Sequence, residues 1–198
     1  VNLVNKPFRI LLTYKSISKI FIKAVAIPED LRDDIFGQPI EKYYPGIANL
    51  QTKSSSSVSL PSYDDLIQHH VEIKIDPIPS GMYAILLSED EGFALGKGSF
   101  ALMYTHVSNL AHLHTYHSNY LSEGKPSDKN IVVMDRFSGS PVAEATVSVY
   151  ERKYKPSTQT YANELVTKTK SDKDGKVHSI LPANRVFSVK LEKGSDIL

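Results

Sequence analysis

The stretch NIVVMDRFSGSPVAEATVSVY, residues 130–150, decides the fold. It starts with a short apolar run, IVVM, of the kind that forms a buried strand, and the turn-forming residues DRFSGSP end that run. After the turn, Ala145, Val147 and Val149 alternate with polar residues, so one face of a second strand can pack while the other stays partly solvated. The stretch therefore predicts two strands, joined either as a β-hairpin or as a corner.

The residues after this stretch extend the same pattern. The run SDKDGK, residues 171–176, predicts a hairpin turn in which Gly175 supplies a positive φ angle. Phe187, Val189 and Leu191 then alternate with polar residues, as in a half-buried strand. Residues 126–198 are therefore predicted to form a small antiparallel β-sandwich domain.

The upstream sequence predicts another antiparallel sandwich domain over residues 1–122. Its strands are predicted at residues 8–14, 19–27, 71–76, 82–88, 100–106 and 109–117. The PIPSG turn predicts that the strands at 71–76 and 82–88 form a hairpin. The polar segment 121–129 has the composition of a linker between the two domains.

A long insertion is expected in the first domain, around residues 28–66. One or two helical turns are predicted after Pro28, because proline is favourable at the first position of a helix. Residues 38–61 show no sustained hydrophobic periodicity, which predicts a long irregular excursion of the chain without regular secondary structure. Residues 62–65 predict a further helical turn.

Composition excludes several classes of protein. The 198 residues, of which 41% are hydrophobic, suffice to bury a core in one large or two small domains. The 23 basic and 22 acidic residues give a net charge of +1, which argues against nucleic acid as a partner. The chain begins with Val rather than Met, so we expect a piece of a longer protein. It has no cysteine, which excludes disulfides, thiolate metal ligands and cysteine nucleophiles.

Two histidines are the candidate metal ligands. His112 and His114 lie on the same side of a predicted strand, about 6.5 to 7 Å apart along it, close enough to bind one ion. His117 falls on the opposite side, and no nearby Asp or Glu completes a ligand set. Histidines on a strand surface are therefore favoured over a metal site.

No catalytic residue and no cofactor are predicted. The serines and carboxylates do not follow the spacings of known nucleophile or acid/base motifs. Residues 172–183 begin like a calcium loop, but glycine stands fourth instead of sixth and Ala183 stands where the twelfth position requires Glu. A turn is the favoured interpretation of this segment.

The turn and strand motifs resemble those of a known family. A strand ending in Asp-Arg, then SGSPVAEATVSVY and then DKDGKV, is similar to a macroglobulin domain of the bacterial alpha-2-macroglobulin family, in its Bacteroidetes-type form. Upstream, KPF, TYKSI and IKIDPIPSGMYAILL resemble the preceding macroglobulin domain. The resemblance covers nearly the whole chain and implies two consecutive immunoglobulin-like macroglobulin domains from the N-terminal half of such a protein.

The resemblance also implies a function. The chain is expected to be a non-catalytic scaffold fragment of an alpha-2-macroglobulin-like endopeptidase inhibitor, whose parent protein traps proteases. Its partners are then other domains of the parent chain and, through the parent, host or competitor proteases. The expected location is the periplasm or the cell surface, with the parent anchored to the membrane, for example as a lipoprotein. The family's thioester requires a cysteine and cannot lie in this segment.

Three alternatives stay open at this point. The motifs are shared with carboxypeptidase-regulatory-like and adhesin-type domains, which would make the chain a surface binding module of an outer-membrane protein. A metal-dependent enzyme built on His112 and His114 would carry stoichiometric zinc. Residues 54–60, or an edge of the second sandwich, could also bind another polypeptide as an added strand.

Overall fold

The computed structural model describes residues 1–32, 39–61, 63, 65–116, 127–157, 159–181 and 187–198. These residues form two compact units, Val1–Val107 and Ser108–Leu198, which we call the N-unit and the C-unit. Each unit is built from antiparallel sheets, so the predicted all-β sandwich class is confirmed.

The N-unit contains two sheets and one α-helix among its described residues. Its elements are β1 Phe8–Tyr14, β2 Lys19–Ala26, a 3-10 helix Glu29–Leu31, α1 Ile40–Ala48, β3 Thr52–Ser59, β4 His69–Ile75, β5 Gly81–Ser88 and β6 Phe100–Val107. β1 and β4 pair as a two-stranded sheet, and the other four strands pair in the order β3-β2-β5-β6. This order makes β2 and β5 the central strands.

The two sheets of the N-unit enclose one hydrophobic core. Ile10 of β1 and Ile73 of β4 point into it from one side, and Ile22 of β2 and Ile85 of β5 from the other. Because successive strand residues face opposite sides of a sheet, every second residue of each strand contributes to this core.

A second core lies on the other face of the four-stranded sheet, under α1. Tyr44 and Ile47 of the helix pack with Val25 and Leu86 of the sheet. β5 is therefore buried on both faces, which explains its unbroken apolar sequence MYAILL.

The prediction of an irregular excursion over residues 38–61 is wrong, because this region contains α1 and β3. Pro45 and Gly46 stand inside the helix, and such residues normally end a helical pattern, so they obscure its apolar stripe. β3 has little apolar content because it joins the sheet through its backbone and leaves most of its side chains exposed.

The two predicted helical turns fall partly outside the described residues. The turn after Pro28 begins as the 3-10 helix, and residues 33–38 are not among those described. The same holds for residues 62 and 64 of the turn predicted at 62–65.

The predicted hairpin of residues 71–76 and 82–88 is also wrong. β4 pairs with β1, whereas β5 pairs with β2 and β6, so the PIPSG segment carries the chain from one sheet to the other. Ile78 in this crossover is 1% exposed and packs into the core between the sheets. Turn-forming residues show where a strand ends but not which sheet the next strand joins.

The C-unit is a sandwich of a three-stranded and a four-stranded sheet. Its strands are β7 Leu110–Tyr116, β8 Ser127–Asp135, β9 Thr146–Lys155, β10 Thr160–Lys170, β11 Lys176–Leu181, β12 Phe187–Lys193 and β13 Asp196–Ile197. The sheet orders are β11-β8-β7 and β10-β9-β12-β13. Ile131 and Val133 of the first sheet pack with Val147, Val149 and Leu191 of the second, all without exposed surface.

The stretch 130–150 forms a corner between these two sheets. β8 pairs with β7 and β11, whereas β9 pairs with β10 and β12, which decides between the two predicted alternatives. The turn at residues 171–176 also connects different sheets, so its prediction as a hairpin turn is wrong. The predicted positive φ is confirmed, since Gly175 has φ +72°.

The division between the two units lies at Val107/Ser108, earlier than the predicted boundary at residues 122–126. The sequence assigned residues 109–117 to the first domain, but β7 pairs with β8 and so belongs to the C-unit. Alternating residues identify a strand without identifying its partner. Of the predicted linker 121–129, residues 121–126 lie outside the described residues, and the remainder is the start of β8.

Candidate functional site

The structure brings His112 and His114 together on β7, as the sequence predicts. In the pairing with β8 they stand opposite Val133 and Ile131, so both side chains leave the same side of this edge strand, but His112 is half-buried and His114 is exposed. Their ring centroids are 4.7 Å apart at an interplanar angle of 80°. The two rings thus touch edge to face.

The fixed positive charge next to His112 opposes a metal cation, although the lowered pKa of His112 keeps its imidazole in the neutral form that metals bind. Burial lowers the pKa of His112, and the neighbouring His114 and the Arg136 guanidinium lower it further. Arg136 is fixed in place, because its Nη2 donates a 2.7 Å hydrogen bond to the carbonyl of Leu110 and its Nε a 3.2 Å bond to that of Ser108. A bound cation would therefore be held beside a fixed positive charge.

The pair also lacks further ligands within the described part of the chain. Among those residues, no group of three His, Cys, Asp or Glu side chains is close enough to hold a metal ion. Zinc in proteins takes at least three protein ligands. His117, the next histidine along the chain, lies outside the described residues.

Two aspartates of the C-unit stabilise turns. Oδ1 of Asp135 accepts hydrogen bonds from the N–H of Ser138 at 2.8 Å and from its hydroxyl at 2.9 Å, and these bonds lower the pKa of Asp135. Oδ1 of Asp172 accepts from the N–H of Lys176 at 2.8 Å and of Asp174 at 2.9 Å, with the same effect on its pKa. Turns in which an aspartate carboxylate accepts hydrogen bonds from the following backbone N–H groups are Asx turns.

One polar cluster of the N-unit escaped the sequence analysis. Nε2 of His69 lies 2.9 Å from Oδ1 of Asp65, and the Tyr63 ring stacks on the imidazole at 4.3 Å. The hydrogen bond to His69 lowers the pKa of Asp65. The only sequence signal for this contact is the four-residue spacing between Asp65 and His69. Residues at this spacing come into contact only where the chain is coiled or turned, and not where it is extended. The cluster fixes the segment that leads into β4.

None of the described helices is long and apolar enough to span a membrane.

The fold defines the class of protein: two successive units of antiparallel β-sheets, each with an apolar core. No protein-family model and no curated protein matches the chain. Solved structures do match, and among them are alpha-2-macroglobulin domains from Escherichia coli.

One is native Escherichia coli alpha-2-macroglobulin spanning domains NIE-MG1, with TM-score 0.58, 12% identity, and coverage of 94% of this chain and 85% of that one. Another spans domains MG0-NIE-MG1, with TM-score 0.66, 9% identity, and coverage of 94% of this chain and 56% of that one. The match thus spans only 56% of the second structure. At these identities the likeness shows the fold alone.

Proposed function

We propose that this chain is a non-catalytic scaffold segment of an alpha-2-macroglobulin-like protease inhibitor, and that trapping is carried out by its parent protein. One observation carries the proposal: the likeness to the Escherichia coli protein extends over 94% of the chain and therefore includes both units. A likeness limited to a single sandwich would say less, because unrelated proteins share that architecture.

The physical properties of the units suit this role. Each has a core of fully buried aliphatic residues, and such close-packed interiors are rigid. The direct partners in this proposal are other domains of the parent chain. Proteases meet the parent at its bait segment, in the periplasm or at the cell surface, where the parent is anchored to the membrane.

The test compares the parent protein with this segment alone. The parent is incubated with a serine protease, and the remaining activity is measured on a large protein substrate and on a small chromogenic peptide. Trapping predicts loss of activity on the large substrate and retention on the small one, because a trapped protease is enclosed and not blocked at its active site. The isolated segment, as matched control, is expected to change neither activity.

Two results would overturn the proposal. One is inhibition of the protease by the isolated segment, which would assign the inhibitory contact to these units. The other is a parent protein that leaves both activities unchanged. A parent sequence with an outer-membrane barrel or repeated stalk domains would favour the surface binding module instead.

A further inference from the structure

β3 is an edge strand of the four-stranded sheet, and its ladder shows which of its backbone groups are unused. The N–H of Leu60 donates a 2.8 Å hydrogen bond to the carbonyl of Ser18, which stands opposite it. In an antiparallel ladder alternate residues bond to the same neighbour, so the even-numbered residues 54–60 bond to β2. The N–H and C=O groups of Ser55, Ser57 and Ser59 therefore point away from β2.

No described segment pairs with this outer edge, since β2 is the sole partner of β3 within the described ranges. The opposite edge of the sheet differs, because the N–H of Asn2 bonds to the carbonyl of His106 at 2.8 Å. Beyond Lys53 and the irregular start of the strand, β3 lacks the usual protection of an edge strand. Residues 54–59 contain neither a charge nor a proline, and the register shift lies at the start of the strand, opposite Ala24 and Val25.

We propose that the outer edge of β3 pairs with β3 of a second copy of this chain, antiparallel, across a two-fold axis at Ser57. This axis places Ser57 opposite itself and Ser55 opposite Ser59 of the other copy. All three outward-directed residues then lie in hydrogen-bonded pairs, which gives about six intermolecular hydrogen bonds.

Other registers form fewer bonds. An axis at Ser59 places Ser57 opposite Pro61, which has no N–H to donate. An axis at Ser55 places Ser57 opposite Lys53, in the irregular part of the strand. The backbone alone thus selects the axis at Ser57.

The side chains favour a second copy over a foreign peptide. Peptides that bind as added strands obtain specificity from pockets for alternate side chains, and a run of four serines offers none. Self-pairing needs only the backbone, and with the axis at Ser57 the cation of Lys53 faces Pro61, so no like charges meet. One strand edge buries less than the roughly 1,200 Å² of a standard interface, so the dimer is weak and reversible.

Single-cysteine cross-linking tests this register, because the chain has no cysteine of its own. In the Ser57→Cys variant the two sulfurs face each other across the axis, with Cα atoms about 5.5 Å apart, within disulfide range. In the matched control Ser55→Cys, the two cysteines are offset by four residues, about 13 Å along the strand, which is too far. When the Ser55→Cys and Ser59→Cys variants are mixed, the two introduced cysteines lie opposite each other in dimers that contain one copy of each. Cross-linking is therefore expected again in the mixture.

The variants are oxidised mildly at equal concentration and resolved on non-reducing gels, and circular dichroism of the reduced proteins confirms their fold. We expect Ser57→Cys to form covalent dimer about tenfold faster than Ser55→Cys, given these distances. Adding Ser59→Pro to Ser57→Cys removes only outward-directed N–H groups and should abolish the cross-link. Equal rates for the two single variants, or no dimer with Ser57→Cys, would overturn the proposal.

Discussion

Gly175→Ala and Gly139→Ala form a matched pair of substitutions in the C-unit. Both glycines have nearly the same positive φ, +72° and +71°. A Cβ on Gly139 meets nothing within 4 Å, whereas a Cβ on Gly175 collides with the carbonyl oxygen of Val133 and lies 3.2 Å from Cβ of Pro141. The pair therefore separates the cost of a left-handed backbone from the cost of close approach.

The expected magnitudes follow from these two costs. Alanine in the left-handed region costs about 1 kcal/mol, which applies to both positions. At Gly175 the collision adds about 1–3 kcal/mol, as overpacking does in a close-packed interior. The backbone cannot move away easily, because the carbonyl of Gly175 accepts a 2.7 Å hydrogen bond from the N–H of Val133. The smaller entropy of alanine in the unfolded chain cancels between the two variants.

Urea unfolding followed by far-UV circular dichroism measures the difference, since the chain has no Trp to report by fluorescence. Both variants and the unsubstituted chain are compared in the unfolding transition of the C-unit. The dependence of the unfolding free energy on urea concentration should be the same in all three proteins. Gly175→Ala should lose at least about 1 kcal/mol more than Gly139→Ala. Equal losses at the two positions would refute the close approach of residue 175 to β8.

Three further outcomes are expected. Ile47→Ala should destabilise the N-unit by about 2–5 kcal/mol in urea, because Ile47 is 2% exposed in the core under α1, and a loss below about 1 kcal/mol would contradict that core. Folding lowers the pKa of His112, so the unfolded chain binds a proton at higher pH than the folded one, and the C-unit should lose thermal stability as the pH falls below about 6.5. His112→Gln should reduce this loss. An identical pH dependence of thermal stability in both proteins would contradict the prediction. Dialysed protein should contain far less than one zinc per chain by metal analysis, since the positive charge of Arg136 acts on His112, and stoichiometric zinc would contradict this.

The strands were predictable because their signal is local. Apolar runs mark β1 and β2, alternating apolar residues mark β9, and each strand is found where the sequence predicts it. The positive φ of Gly175 was predictable for the same reason, because a turn of this composition requires one. For the candidate site, the shared side of His112 and His114 followed from period-two geometry alone.

Pairing was not predictable, because it depends on residues distant in sequence. β4 and β5 are adjacent in the chain and bounded by a turn, yet they join different sheets. The same holds for β10 and β11, and β7 pairs across the predicted boundary. α1 was missed for another reason, since its helical stripe contains Pro45 and Gly46 and is recognisable only when the sheet beneath it is known.

Three polar residues of the C-unit form hydrogen bonds that stabilise the fold itself. Asp135 and Asp172 each accept hydrogen bonds from backbone N–H groups of their own turns. Arg136 donates hydrogen bonds to the carbonyls of Ser108, just before β7, and of Leu110, the first residue of β7. Each of these bonds closes within the C-unit and fixes the end of a strand. The proposed scaffold role requires no reactive group from these three residues, and the proposed self-pairing uses the outward-directed backbone of Ser57 at the edge of β3.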